Sequence, residues 1–174
     1  AEELNEWMGK SADIDYSQFI KEVHSASAYG NQVNDEFGGL LLDQSGYVDT
    51  AKLVEASARS LSEKNSLVKE YFDTTQLNLL GESASYKNIT CKAVIFCNGH
   101  KALQEEYFGW IPLRPVKGEL LMIKTDEPLE VIHNRGVFVI PQGNGICKVG
   151  STYDHKNLDE NPTLEAKNVL VNKL

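Results

Sequence analysis

Hydrophobic and polar positions divide the chain into stretches of different period. Residues 1 to about 36 are polar and mostly helix-like. Phe19, Ile20 and Val23 recur at helical spacing behind Ser17, a candidate N-cap, and a Ser-, Gly-, Asn- and Asp-rich loop follows from Ser25 to Phe37. Gly38–Leu42 is a short apolar strand, and Gln44-Ser45-Gly46-Tyr47 is a turn. Asp49 or Thr50 then caps a helix whose narrow buried stripe is Leu53, Val54, Ser57, Ala58 and Leu61, fading at Glu63-Lys64-Asn65.

From there the period shortens. Leu67–Phe72, Gln76–Leu80, Ala84–Tyr86 and Ile89–Cys97 read as strands joined by polar turns. Ala93-Val94-Ile95-Phe96-Cys97 is continuously apolar, as expected of a strand buried on both faces in a parallel sheet. Lys101–Tyr107 makes one or two helical turns. Strands follow at Val116–Lys124, Gly136–Pro141 and Gly145–Thr152, with Gly143-Asn144-Gly145 as a hairpin turn between the last two. Asn161-Pro162-Thr163 opens a final helix, with proline in its first turn. No internal repeat or low-complexity segment is present. The fold class is α+β, with a mixed, largely antiparallel sheet plus helices, and a second part that borders a parallel α/β sheet.

Composition narrows the function. Hydrophobic residues make up 41% and charged residues 24%, a globular balance, and no apolar run approaches membrane-spanning length. The net charge of −8 and scattered lysines argue against nucleic acid as a partner, because phosphate neutralisation needs a positive surface. No signal peptide is recognisable. Cys91, Cys97 and Cys147 form no CxxC pair and read as reduced core thiols of a cytoplasmic protein. The chain begins without methionine and ends within a helical pattern at Leu174, so it reads as an internal fragment.

Motifs with chemistry of their own are few. There is no GxGxxG, no GxxxxGK[ST] and no GxSxG. Gly143-Asn144-Gly145 has the first spacing of a dinucleotide loop, but strand-like residues follow it instead of a helix. The four histidines, His24, His100, His133 and His155, form no HxxxH or HExxH pair, so no metal is expected. Asn88-Ile89-Thr90 fits a glycosylation tripeptide that also arises by chance. No catalytic residue is assignable from these patterns.

Four segments in order carry more information. They are Gly46-Tyr47-Val48-Asp49-Thr50 with Leu53-Val54; Ala93–Gly99; Pro115-Val116-Lys117-Gly118-Glu119-Leu120; and Val139-Ile140-Pro141 through Lys148-Val149-Gly150-Ser151-Thr152, followed by Leu158-Asp159 and Pro162-Thr163. Together they resemble the D-amino-acid-oxidase-like (DAO) family of FAD-dependent oxidoreductases, which includes glycine and sarcosine oxidases. The resemblance implies a substrate-binding domain with a partial FAD-domain segment. Residues 1–66 and 111–174 would belong to the substrate domain and 67–110 to an incomplete FAD-binding domain. It implies oxidation of a C–N bond in a small amine or amino acid, with hydride passing to FAD, in a full-length parent that can form a homo-oligomer. The fragment alone is expected to be inactive and without bound FAD.

Site residues follow from the same resemblance. Asn98 and Gly99 fall at the turn near the FAD nucleotide, and Lys117 and Gly118 at a second cofactor-side element where arginine is usual in place of Lys117. Phe138 stands where the family's glycine and D-amino-acid oxidases place a substrate-facing tyrosine, and Tyr153 follows a pocket-lining stretch. Phe138 cannot hydrogen-bond a carboxylate, which puts an ordinary α-amino acid in question. The family's carboxylate-binding arginine would lie beyond Leu174; Arg114 and Arg135 do not match it. Competing readings are a non-redox binding or interaction domain on the same sheet, the oxidase domain of a tRNA wobble-uridine modification enzyme, and a dehydrogenase that passes electrons to a quinone.

Overall fold

A computed structural model describes residues 2–26, 28–30 and 33–174. The chain forms two compact units, Ala1–Val48 with Val116–Leu174, and Asp49–Pro115.

The first unit is built on a four-stranded antiparallel sheet. Its strands are β6 (Leu120–Lys124), β7 (His133–Asn134), β8 (Phe138–Gly143) and β9 (Ile146–Gly150), in the order β6-β9-β8-β7. The β8–β9 hairpin turns where the sequence predicts, through Gly143, Asn144 and Gly145 at φ 92°, 52° and 70°. Three successive left-handed residues suit Gly-Asn-Gly and few other tripeptides. A Cβ on Gly145 would approach the Thr125 carbonyl oxygen to 2.9 Å, so glycine is also needed for closeness.

Register decides the two faces of this sheet. Leu121, Val149 and Val139 align across it and share a core with Val137, Ile123 and Leu170. Helix α4 (Leu164–Val171) covers that face, burying Ala166 and Leu170 one turn apart. Burying Leu170 fully contributes about 1.5–3 kcal/mol. The predicted proline in the helix's first turn is corrected by one step: Thr163 is the N-cap, its hydroxyl accepting from Ala166 N–H, so Pro162 lies just outside. Thr163 wins because it offers a side-chain acceptor and proline does not.

The N-terminal part of this unit departs from the sequence expectation. Helices α1 (Glu2–Ser11) and α2 (Ile14–Ser17) are present, but Ser17 ends α2; the N-cap is Asp13. The expected helix over Phe19–Val23 is instead strand β1 (Ile20–His24), antiparallel to β2 (Gly39–Leu42). Pairing with a non-local partner satisfies the backbone of β1, and the branched Ile20 and Val23 suit a pleated strand. Gly38, at φ 76°, brings the chain back so tightly that a Cβ would overlap the His24 carbonyl oxygen.

The second unit carries helix α3 (Thr50–Glu63) and a small sheet of β3 (Leu77–Leu79), β4 (Ala84–Tyr86) and β5 (Ile89–Cys91). Asp49 caps α3, accepting from Lys52 N–H. The helix has the expected extent, but its stripe is not buried: Leu53, Val54 and Leu61 are exposed. Helical periodicity identifies an apolar face, whereas burial requires a packed partner, and no residue of α3 is buried.

The core of this unit is aromatic. Phe72 stacks on Tyr86 with ring centroids 4.3 Å apart, and Phe96 meets Phe72 and Phe108 edge-on. The Tyr86 hydroxyl accepts from Asp73 N–H and donates to the Tyr71 carbonyl. Two expected strands are corrected here. Leu67–Phe72 is irregular, and the long strand Ile89–Cys97 stops at Cys91. Val94 and Phe96 pack inward while Ile95 is 85% exposed, so Ala93–Cys97 is half-buried instead of buried on both faces. A doubly buried strand needs partners along both edges and a layer on each face; here only the aromatic cluster covers one face. Cys97 is therefore exposed, whereas Cys147 is a core thiol and Cys91 is intermediate.

Among the described residues, no helix is long and apolar enough to cross a membrane.

Candidate functional site

The face of the four-stranded sheet turned away from α4 has a distinctive composition. Leu120, Gly150 and Phe138 align across β6, β9 and β8, and the next same-face row is Met122, Lys148 and Ile140. Side chains alternate along each strand, so these residues project opposite to the Val149 core. A Cβ on Gly150 would overlap Leu120 Cδ2 and lie 3.0 Å from Phe138 Cζ. The leucine and phenylalanine therefore converge over a glycine floor. Leu120 and Met122 remain more than half exposed, which leaves an apolar surface with one lysine near its centre. Such a wall can seat a small ligand, exclude water from one side of it, and present positive charge from Lys148 and, toward the hairpin end, Lys124.

Phe138, expected from sequence to face substrate, lies on this wall. Tyr153 follows the end of β9 and is 77% exposed. Lys148 was not among the sequence candidates. Its only sequence signal is alternation: Cys147 and Val149 are buried, which puts Lys148 and Gly150 on the other face, and a strand lysine ordinarily reads as solvated.

Lys117 and Gly118 occupy a different setting. Lys117 Nζ donates to Asp159 Oδ1 at 2.8 Å and to the Asn161 carbonyl, with Glu119 Oε1 at 3.5 Å. Hydrogen bonding to Asp159 raises the Lys117 pKa, despite partial burial, and the reciprocal bond from Lys117 lowers that of Asp159. Glu119 in turn accepts from Thr163 N–H at 2.6 Å and from the Thr163 hydroxyl at 2.9 Å; the backbone bond is the main reason its carboxyl is held low. This network fastens the start of α4 to the strand leading into β6. Gly118 sits against the Thr152 carbonyl, where a Cβ would come within 3.3 Å.

Asn98 and Gly99 lie in the other unit, at the start of a 3-10 turn over Gly99–Gln104. Asn98 Nδ2 donates to Glu105 Oε1 at 2.9 Å, and Gly99 adopts φ 58° with open space where a Cβ would be. The sharp turn is as expected, and its open side leaves backbone accessible.

The FAD implied by the resemblance needs a cradle for its pyrophosphate, usually a helix N-terminus with free N–H groups. The two long capped helices do not offer one. Asp49 occupies the N-terminus of α3, and Thr163 with Glu119 occupies that of α4. Both carboxyl groups are held below their ordinary range by these backbone bonds and would repel a phosphate. Neither of these two helix N-termini fits the phosphate-binding part of the cofactor.

Comparison with known proteins agrees with the ordered motifs. The family model of FAD dependent oxidoreductases (DAO) matches residues 1–174. Glycine oxidase from Pseudomonas putida KT2440 is 34% identical over 58 residues, which are 32% of this chain and 16% of that protein. The chain thus spans well under two thirds of the length of this relative. No solved structure matches the chain. The motif order of the sequence, its sheet-bearing α+β fold and the full-length family match together establish that the chain belongs to the DAO family of FAD-dependent oxidoreductases.

Proposed function

We propose that this chain supplies the substrate-side wall of an enzyme that oxidises a C–N bond of a small amine or amino acid. The supporting observation is the open sheet face, where Leu120 and Phe138 converge over Gly150. Bound in the full-length protein, FAD would supply the hydride-accepting chemistry, while the residues of this face would supply orientation and dryness. Leu120, Met122, Phe138 and Ile140 would shield the reacting carbon from water, while Phe138, lacking a phenol, shapes the site without hydrogen bonding. On this reading residues 1–66 and 111–174 serve the substrate and 67–110 the FAD domain. Three unpaired thiols suit a reducing cytoplasm.

The test is anaerobic reduction of the flavin in the full-length protein by a panel of small primary and secondary amines and amino acids. Bleaching by at least one member, impaired by Phe138→Ala mainly through KM, is the expected result. Bleaching by 2-hydroxy acids alone, or by none of the panel, would sink the proposal. Peroxide release under air would then separate an oxidase from a dehydrogenase.

A further inference from the structure

Tyr29 lies between two histidines from different elements. Its ring meets His24 of β1 edge-on with centroids 5.4 Å apart, and His133 of β7 edge-on at 5.2 Å. All three side chains are half-buried. The two histidines are provided for differently. His24 Nδ1 lies 3.4 Å from Glu22 Oε1, and its Nε2 lies 3.3 Å from the Tyr29 hydroxyl. His24 therefore has partners in either state. When neutral, Nε2 accepts from the hydroxyl; when protonated, it donates to the hydroxyl and Nδ1 donates to Glu22. His133 makes no hydrogen bond and no ion pair among the described residues. Asp35 is the charge that acts on it, but that carboxylate already accepts from Ala28 N–H at 2.8 Å. Toward β8 it faces apolar Val139. Arg135, two positions on, is a permanent cation and lies over the Phe37 ring at 5.4 Å. A proton on His133 thus puts charge into a half-buried site with no acceptor, which is costly; turning the ring out to water relieves the cost.

We infer that His133 is a proton-operated catch: its neutral ring holds Tyr29 against the edge of the four-stranded sheet, and protonation frees Tyr29 while the fold persists. β7 consists of His133 and Asn134 alone, and Asn134 is cross-strand to Phe138, so the catch acts beside the open sheet face. It does not depend on what that face binds. Burial lowers the pKa of the docked ring, outweighing Asp35. Docking is therefore complete above the ordinary histidine value of about 6.5 and weakens as pH falls through the lowered one. One proton changes the ratio of docked to free Tyr29 by up to about tenfold per pH unit. The contact of Phe37 with Arg135 does not titrate in this range and stays in place.

The test uses the full-length flavoprotein containing fluorotyrosine and ring-labelled histidine. The fluorine signal of Tyr29, assigned with Tyr29→Phe, reports docking, and the His133 ring signal, assigned with His133→Gln, reports its titration in the same sample. Between pH 8 and pH 5 the Tyr29 signal should move to its solvent-exposed position, with the midpoint of the His133 titration and the slope of one proton, while the other tyrosine signals hold still. His133→Phe keeps an edge-on ring that cannot titrate, and Tyr29 should then stay docked throughout. His133→Gln is a second variant that should also remove the transition, and His24→Gln should leave it at the His133 midpoint. A Tyr29 signal unmoved down to pH 5, or a midpoint apart from that of His133, would overturn the inference. So would a transition that survives in either His133 variant, or one in which all tyrosine signals move together as in global unfolding. The comparison of the two midpoints is made in the parent protein, so it stands even where a His133 variant fails to fold.

Discussion

Phe138 and Gly150 are cross-strand partners, and the phenylalanine ring occupies the space that a side chain at position 150 would need: Cζ lies 3.0 Å from the place of a Cβ. Leu120 closes the same space from the opposite strand. Gly150→Ala should therefore force the ring and the leucine aside and destabilise the fold by about 1–3 kcal/mol. A shift of the urea midpoint measures it. Adding Leu120→Ala should recover part of the loss; an additive double variant would argue against steric conflict.

Thr163 and Glu119 hold the start of α4. Thr163→Ala should cost about 1 kcal/mol, the usual value of a lost N-cap, seen as a lower thermal midpoint.

The same network predicts an acid limb. Backbone and side-chain bonds hold Glu119 and Asp159 below the ordinary carboxylate range, so the folded state carries fewer protons than the unfolded chain in acid. Their contribution is complete above the unfolded pKa of about 4 and is lost as pH falls through the lowered folded values. Lys117, raised chiefly by its bond to Asp159, behaves in mirror image: its contribution is complete below the ordinary lysine value and is lost as pH rises through the folded one. Glu119→Gln should flatten the acid limb of a plot of unfolding midpoint against pH. A slope unchanged from the parent would refute this account.

His133 behaves oppositely to a salt-bridged histidine. Burial lowers its pKa, outweighing the charge of Asp35, and its ring meets Tyr29 edge-on at 5.2 Å. The folded state favours the neutral ring, so stability is present above about pH 6.5 and declines as pH falls through that range. His133→Gln should remove this component, measured by thermal unfolding between pH 8 and pH 5.

Thiol labelling should discriminate the three cysteines. Cys97 is exposed, Cys91 intermediate and Cys147 buried. A maleimide should modify Cys97 first and leave Cys147 untouched until denaturant is added. Rapid labelling of Cys147 in the native protein would contradict the placement of β9 at the core.

Much of this architecture is local and was readable in the chain. Asp49 before an amphipathic run marks a helix start, and Gly143-Asn144-Gly145 between apolar runs marks a hairpin, because capping and left-handed turns depend on a few adjacent residues. The ordered motifs from Gly46 to Thr163 likewise sufficed to indicate the family. Burial and partnership are different in kind. Phe19–Val23 has helical spacing, yet Ile20–His24 is a strand because β2 lies beside it. Ala93–Cys97 is apolar throughout, yet only Val94 and Phe96 are covered. Lys117 and Lys148 both fall within strands predicted from sequence; one is tied to Asp159, 42 positions away, and the other faces an open apolar sheet. Periodicity records which side of an element is apolar. Only tertiary structure decides what that side meets, because register and ion pairing join residues whose separation leaves no local trace.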